Sequence, residues 1–246
     1  MPVAETGAFA LEDYIKDPSG NPPAINAQIQ APWVIIRPRV YRYMKREYVE
    51  EFFAKGLLRL SSFKKFSKHE DEQRQDSKEG RALNIGRGES STIVASTGVG
   101  VNSYILCGAT NDIDEVRNAF NDCDAAIAID DTYQFATAVA LALSGFIAGR
   151  EGNCIYKEDR RIERKIEENT VDSLLEKHKL ESGGVSMGMI TDQMKIVGGV
   201  EQFFIKESKY SVQCEYRIIW DCSNTKEYID IEVPNARQFC RAVEIK

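Results

Sequence analysis

The sequence predicts an α+β fold and not a doubly wound parallel sheet. Short segments rich in Val, Ile, Tyr and Leu alternate with helical segments in the first part of the chain, and three strand-like segments come close together near the C terminus. Consecutive strands without helices between them are typical of antiparallel hairpins. The 246 residues suffice for one large domain, which we place at residues 33–246.

The individual elements are predicted from residue periodicity and from end signals. Strands are expected at 33–43, 57–62, 92–94, 103–107, 125–129, 200–205, 212–220 and 228–233. Helices are expected at 47–54, 112–121, 133–147 and 157–168. Five of the seven prolines fall within residues 1–32, which predicts an irregular lead-in before the first strand.

Particular residues fix several of these bounds. Gly56 is expected to end the first helix, and Asp112 is expected to cap the second. Charged residues dominate 157–168, and its apolar spacing favours a solvent-facing helix with i,i+4 ion pairs. The polar, aperiodic stretch 64–84 predicts an ordered loop or a mobile lid. Residues 183–184, both glycine, are expected to end the region that follows the charged helix.

Composition excludes several classes of protein. The longest apolar run, residues 136–148, is shorter than the roughly 18 residues that a membrane span needs, and the N terminus has no basic region typical of a signal peptide. The six cysteines form no CxxC pair, and two histidines are too few for a zinc finger. We therefore expect a soluble cytoplasmic protein with free thiols and no membrane partner.

The charge is unevenly distributed. The chain has a formal net charge of −6, but residues 37–68 contain ten Lys or Arg and only three acids. That segment carries +7, so the other 214 residues carry about −13. The basic segment is also aromatic: alternation on a strand places Tyr41 and Tyr43 on one face and Arg42 on the other. Arginine beside aromatic rings suits a ligand with phosphates and bases, although a core with a solvated basic rim would give the same pattern.

Two other patterns carry less information. The pairs Gly86–Gly88 and Gly98–Gly100 are each half of a dinucleotide fingerprint without the third glycine, so turns are favoured. Asp71, Asp76 and Glu79 could bind a divalent cation, as a metal-dependent nuclease would require. Interspersed Lys and Arg favour a self-neutralising surface loop instead.

The last candidate lies near the C terminus, where Glu215 and Arg217 share one face of a predicted strand. Two charged side chains amid apolar neighbours are not expected to enter a dry core, so they should line a cleft or the surface. A carboxylate in a cleft is suited to bind a ribose hydroxyl or to stabilise an oxocarbenium-like centre. A simple exposed strand face remains the alternative.

Several short motifs resemble bacterial proteins of abortive phage infection and of toxin–antitoxin systems, which are themselves similar to the ADP-ribosyltransferase fold. The resemblance extends over about residues 38–220. Its motifs are Tyr41–Tyr43, Phe52–Gly56, Leu57–Phe63, Glu70–Gly80, Tyr104–Gly108 and the closing Lys209–Ile218. The resemblance implies a split, mostly antiparallel β core with flanking helices that binds NAD in a central cleft.

The resemblance also implies residue roles. Arg42, Tyr41 and Tyr43 would contact the nicotinamide ribose or the pyrophosphate, and Ser61 or Ser62 would seat the nicotinamide ring. The catalytic set is then Glu215, Tyr43 and Arg42, with Glu215 promoting cleavage of the glycosidic bond. The set that binds NAD, which is consumed as a substrate, is Tyr41, Arg42, Ser61, Ser62 and Arg217; no metal is implied.

The function expected on this basis is transfer of ADP-ribose from NAD by a toxin of phage defence. Gln213 matches one position of the signature of arginine-modifying enzymes, but the preceding residues 207–211 differ from their recognition turn. This difference leaves the acceptor open, and the basic surface around Lys45, Lys55, Lys64, Lys65 and Lys68 favours a nucleic-acid acceptor over a protein one. A toxin would need a cognate antitoxin or chaperone protein. The alternatives are a non-catalytic antitoxin or phage-sensing module and, more weakly, the nuclease.

Overall fold

The computed structural model of the chain describes residues 37–66, 80–87, 92–165 and 198–245, together with the isolated residues 177 and 182. The chain divides into two units, Met1–Arg37 and Pro38–Lys246, and the strands and helices of the described residues belong to the second. The predicted lead-in at 1–32, its boundary with the domain, and the glycines at 183–184 lie outside the described residues.

The described part of the chain combines thirteen strands with four short α-helices and three 3₁₀ helices. The strands are β1 Val40–Met44, β2 Leu57–Ser62, β3 Arg81–Arg87, β4 Thr92–Gly98, β5 Ser103–Ala109, β6 Ala125–Ile129, β7 Phe146–Asn153, β8 Ile155–Lys157, β9 Arg161–Lys165, β10 Ile205–Glu207, β11 Glu215–Cys222, β12 Tyr228–Glu232 and β13 Cys240–Glu244. The α-helices are α1 Arg46–Lys55, α2 Phe63–Phe66, α3 Asp114–Asn118 and α4 Thr132–Ala142. The 3₁₀ helices are Val200–Phe203, Ser208–Gln213 and Pro234–Phe239.

Eight strands form the main sheet, and every pair within it is antiparallel. The order along its path is β12-β2-β5-β1-β6-β13, and β11 joins β5 to β7. A three-stranded sheet, β4-β3-β9, and a parallel pair, β10-β8, complete the fold. The predicted α+β class with mostly antiparallel strands is therefore confirmed.

The main sheet splits at β5. One edge of β5 pairs with β11 along its whole length. On the other edge, β2 pairs with β5 at Ile105 and Tyr104, whereas β1 pairs with it at Ala109. Since β1 and β2 share one edge of β5 at different heights, the two strands diverge from that edge and leave a gap between them.

One face of the sheet carries the main apolar core. Even-numbered residues such as Leu60, Leu106 and Trp220 pack there against helices α1 and α4. The indole Nε1 of Trp220 donates a hydrogen bond of 2.9 Å to the carbonyl of Ala136 on α4. Because strand side chains alternate in direction, the odd-numbered residues of the same strands point to the opposite face, over the gap.

The end of α1 shows how the sequence sets this geometry. Gly56 has a φ of 78°, a left-handed conformation that favours glycine, and its N–H donates to the carbonyl of Phe52 at 2.7 Å. A Cβ at this position would lie 2.5 Å from the backbone nitrogen of Pro234. The predicted helix at 47–54, its end at Gly56 and the strand at 57–62 are confirmed.

The predicted charged helix at 157–168 is wrong over its described part. Residues 155–157 and 161–165 are the strands β8 and β9, and β9 pairs in parallel with β3. Strand β9 is the edge strand of the sheet β4-β3-β9. Within it, Ile162 is buried while its two neighbours are exposed, so one side chain points inward. Charged side chains at an edge face water in a strand as readily as in a helix.

Three further boundaries differ from the sequence prediction. The apolar helix ends at Ala142 instead of 147, because Gly145, with a φ of 71°, turns the chain into β7. Part of the predicted 64–84 loop is helix α2 and strand β3, and the predicted strand at 200–205 is largely 3₁₀ helix. The strand predicted from 212 begins at 215.

Asp112 does not cap α3, which begins at Asp114 after Ile113. Strand β13, Cys240–Glu244, was not predicted; it pairs with β6 at the end of the main sheet. The strands at 125–129 and 228–233 were predicted almost to the residue. Among the described residues, no helix combines the length and the apolar character needed to cross a membrane.

Candidate functional site

A cavity of about 590 Å³ lies where β1 and β2 diverge from β5. We call it the split cleft. Its walls come from β1, α1 and β2, from the middle of β5, and from residues before β6. Lys206, Gln213 and Glu215 also line it. The volume is in the range of small-molecule binding sites.

The split cleft brings together most of the residues that the sequence singled out. Tyr41, Arg42, Tyr43, Ser61 and Glu215 all line it. Ser62 and Arg217 are not among the lining residues. Ser62 is buried on the core face, because alternation along β2 sends it the opposite way from Ser61.

The expectation that Arg217 lines a cleft or the surface is wrong. Arg217 is fully buried on β11, between β5 and β7. Its Nε donates to Glu215 Oε1 at 2.6 Å and its Nη1 donates to the carbonyl of Phe203 at 2.6 Å. An ion pair and a carbonyl contact compensate the burial of this charge. The strand pattern places Glu215 on the same face as Arg217, but it gives no sign of the Phe203 carbonyl.

Tyr43 forms a fixed aromatic wall of the split cleft. Its ring stacks on Phe120, with centroids 5.3 Å apart and planes 18° apart. Its hydroxyl donates to Asp112 Oδ1 at 2.9 Å, and Arg117 donates two further hydrogen bonds to that carboxylate. Burial and the Asp112 contact raise the pKa of Tyr43, so it remains a neutral phenol. Hydrogen bonds from Arg117 lower the pKa of Asp112.

Arg42 crosses the gap between the diverging strands. Its Nη2 donates to the backbone carbonyl of Arg59 on β2 at 2.8 Å. Arg59 in turn makes two hydrogen bonds of 2.7 Å to Asp230 on β12, and it lies 4.8 Å from the centre of the Tyr228 ring. Both Arg42 and Arg59 are among the residues that line the split cleft.

Glu215 is held between two buried cations. Its Oε1 accepts from Arg217, and its Oε2 accepts from the Lys206 ammonium. Cys154 Sγ also lies 3.4 Å from Oε1. The backbone N–H of Glu215 donates to the Tyr156 hydroxyl at 2.7 Å, which fixes the start of β11.

Burial and the neighbouring cations have opposite effects on the pKa of Glu215. Burial alone would raise the pKa of Glu215, but attraction to Arg217 and Lys206, and their hydrogen bonds, hold it well below its ordinary value. Burial would lower the pKa of Lys206, and the neighbouring Glu215 carboxylate raises it above the ordinary value. The pair is therefore ionised, and the cleft contains a fixed carboxylate and a fixed ammonium.

Lys206 reaches this position on the short pair β8-β10. The register places Lys206 opposite Tyr156, next to the start of β11. Its ammonium also donates to Gln213 Oε1 at 2.7 Å and lies 4.9 Å from the centre of the Tyr210 ring. Lys206 was not predicted from the sequence. The available signal was its position directly after the apolar run Phe203–Ile205, which is typical of a buried segment.

The basic segment is partly neutralised by acids from distant parts of the chain. Arg39 pairs with Asp130, and Arg46 pairs with Glu244 at 2.9 Å. Arg59 pairs with Asp230, as described above. The local charge of +7 is therefore not a bare cationic surface, and it is weaker support for nucleic-acid binding than the sequence indicated.

The cysteine, histidine and acidic side chains of the described residues form no metal site. Among those residues, no group of three or more His, Cys, Asp or Glu side chains could hold a metal ion. Asp71, Asp76 and Glu79, the proposed nuclease ligands, lie outside the described residues. All six cysteines are free thiols.

Comparisons with known proteins give no further assignment. No family model, no curated protein and no solved structure matches the chain.

Proposed function

We propose that the split cleft binds NAD and that the protein is an ADP-ribosyltransferase-like enzyme, acting as a toxin in phage defence. One observation carries this proposal. Tyr41, Arg42, Tyr43, Ser61 and Glu215, which the family resemblance assigns to NAD, line a single cavity at the point where an antiparallel sheet splits. The residues come from three separate strands, so their convergence is a property of the fold.

The cleft has chemistry suited to each part of NAD. The Tyr41 and Tyr43 side of β1 offers rings for stacking, and Arg42 offers charge for the diphosphate. Ser61 offers a hydroxyl for the carboxamide of nicotinamide. Glu215 provides a fixed negative charge for the oxocarbenium-like centre.

The reaction would consist of one bond broken and one bond formed. The glycosidic bond between C1′ of the ribose and the nicotinamide nitrogen breaks, and both electrons leave with nicotinamide. A lone pair of the acceptor then forms the new bond to C1′, and the proton of the acceptor passes to solvent. A nucleic-acid acceptor is our first choice and a protein side chain the second. A cognate antitoxin or chaperone protein would restrain the toxin.

A second candidate function is a non-catalytic antitoxin or phage-sensing module that binds NAD or a related nucleotide. A specific observation favours it: both carboxylate oxygens of Glu215 already accept hydrogen bonds from buried cations. In this case the cleft binds the ligand and leaves it intact.

The test is to incubate the protein with NAD labelled in the adenylate portion and to measure nicotinamide release and label transfer to RNA, DNA and protein. Glu215→Gln is the test variant. Gly98→Ala is the matched control, because a Cβ at Gly98 would meet nothing within 4 Å and Gly98 is not a lining residue.

The enzyme proposal expects release and transfer by wild type and Gly98→Ala and their loss in Glu215→Gln. Binding of NAD without release would support the non-catalytic module instead. Equal release by wild type and a folded Glu215→Gln variant would contradict the role given to Glu215.

A further inference from the structure

We propose that Lys206 contacts the diphosphate in the split cleft alongside Arg42, and that a bound diphosphate opens the Lys206–Glu215 ion pair and frees the carboxylate. The inference rests on the proposed function and specifies how its site is held before the ligand binds. It assigns Lys206 as a ligand-binding residue and makes the ion pair a resting state of the site.

The geometry of the ion pair supports this exchange. Lys206 and Glu215 are both buried, with side chains 7% exposed, yet both line the cavity. Lys206 also donates to Gln213 Oε1, and Gln213 lines the same cavity. The ammonium is therefore at the boundary between the protein interior and the ligand space, held by one charged and one neutral acceptor.

The two cations beside Glu215 differ in their freedom to move. Arg217 is fully buried, is not among the lining residues, and is also anchored to the Phe203 carbonyl. Lys206 has a flexible stem, and its ammonium can rotate to a new acceptor. A ligand can therefore remove Lys206 from Oε2 while Arg217 continues to hold Oε1 and keeps the carboxylate oriented.

A diphosphate is the ligand group best suited to compete for Lys206. It carries two negative charges against the single charge of Glu215, and a phosphate oxygen accepts a charge-assisted hydrogen bond as a carboxylate does. In a site of low dielectric, these charge contacts are stronger than in water. Once Lys206 has turned to the diphosphate, Oε2 is available to the ribose. This exchange of partners by Lys206 couples binding of the diphosphate to release of the Glu215 carboxylate.

The inference predicts effects of opposite sign for the two members of the pair. Removing the ammonium with Lys206→Gln should weaken binding of the diphosphate. Removing its internal competitor with Glu215→Gln should strengthen it, because Lys206 then no longer meets a carboxylate at position 215 and its remaining acceptor, Gln213, is neutral. Lys55→Gln is the matched control: it also removes one positive charge, from an exposed residue outside the cleft.

The experiment is calorimetric titration with ADP-ribose, which has the diphosphate and no bond to nicotinamide. Adenosine, which has no phosphate, is the second probe. For ADP-ribose we expect about ten- to a hundredfold weaker binding by Lys206→Gln, tighter binding by Glu215→Gln, and no change in Lys55→Gln. Adenosine binding should be the same in all four proteins.

Two results would overturn the inference: an unchanged affinity for ADP-ribose in folded Lys206→Gln, or a weaker one in folded Glu215→Gln. If neither variant folds, a crystal structure of the wild type with ADP-ribose decides. Contact between Lys206 Nζ and a phosphate oxygen supports the inference, and an intact Lys206–Glu215 pair rejects it.

If the split cleft is not an NAD site, the titration gives a different result from failure of the inference alone. Wild-type protein would then bind no ADP-ribose at all, whereas failure of the inference alone leaves wild-type binding intact and insensitive to Lys206. Binding that depends on Lys206 but is accompanied by no NAD cleavage would support the inference together with the non-catalytic function.

Discussion

At the scale of single residues, the group around Glu215 combines a candidate catalytic role with a structural one. A carboxylate buried between Arg217 and Lys206 is compensated only while both cations are present. Removing one partner of such a buried set leaves an unpaired charge in the protein interior. The resulting loss of stability is usually larger than the stability that the intact pair contributes. Mutations here therefore need stability measurements beside activity measurements.

Arg217→Met tests the structural role. It removes the Nε contact to Glu215 and the Nη1 contact to Phe203, both 2.6 Å long, from a fully buried position. We expect the free energy of unfolding to fall by about 3–5 kcal/mol in urea titration. Arg59→Met is the matched control. It breaks an exposed pair with Asp230, which solvent screens, and it should cost less than about 1 kcal/mol. Equal losses in the two variants would contradict this account of Arg217.

The pH dependence of stability tests the ionisation of Glu215. Its pKa in the folded protein lies below the ordinary value of 4.5, so its ionised form stabilises the fold above that pH. The contribution is lost as the pH falls below 4.5, by about 1.4 kcal/mol for each pH unit until the folded-state pKa is reached. In urea titrations at pH 6 and pH 3, the stability gap between wild type and Glu215→Gln should narrow at the lower pH. A constant gap would show that the Glu215 pKa is not depressed.

At the scale of secondary-structure elements, β5 determines the position of the split cleft. Gly108 on β5 lines the cleft and allows β1 to approach closely. A Cβ on Gly108 would lie 2.5 Å from Val40 Cγ1 and 2.9 Å from the carbonyl oxygen of Tyr41. The side of the cleft that carries Tyr41 therefore depends on the absence of a side chain at this position.

Gly108→Ala should displace β1 and destabilise the protein by about 1–3 kcal/mol, as overpacking usually does. Gly98→Ala, in strand β4, meets nothing within 4 Å and should leave the free energy of unfolding nearly unchanged. Urea titration of both variants gives the comparison. A Gly108→Ala protein as stable as Gly98→Ala would mean that β1 tolerates a wider spacing than the structure indicates.

The elements differ in how much of them can be predicted from sequence. Strand 57–62 and strand 125–129 were predictable because strong alternation or a short apolar run ends at clear signals. The charged strand β9 was not, because the four-residue spacing of Ile162 and Ile166 is typical of a helix, whereas in β9 only Ile162 is buried. The pairing of β9 with β3 decides its conformation, and such long-range pairing leaves no local signal.

The site residues likewise divide into those with a local signal in the sequence and those that only long-range pairing brings together. The basic and aromatic strand pattern indicated Tyr41 and Arg42, and the family resemblance indicated Ser61; all three line the split cleft. Lys206 could not, because its partner Glu215 is reached through the pairing of β8 and β10. The burial of Arg217 was mispredicted because the second cation, Lys206, reaches Glu215 only through long-range strand pairing, and the fold places two cations around one carboxylate.

At the scale of the whole molecule, the sheet and the charge distribution are linked. The basic segment supplies β1, α1 and β2, and acids from β12, β13 and the end of β6 neutralise part of its surface. Arg42, which belongs to the basic segment, and Lys206, which lies outside it and is paired with Glu215, both line the split cleft. An anionic ligand in the split cleft would therefore lie beside cations from two different parts of the chain.

The most direct test of the central claim is NAD binding by wild type and Ser61→Trp, measured by calorimetry. Ser61 is half-buried, lines the split cleft and lies on the face of β2 opposite the core, so an indole there would occupy the space of the ligand. We predict that wild type binds NAD and that Ser61→Trp, folded and of similar stability, does not. Undiminished NAD binding by Ser61→Trp, or none by wild type, would contradict the claim that the split cleft is an NAD site.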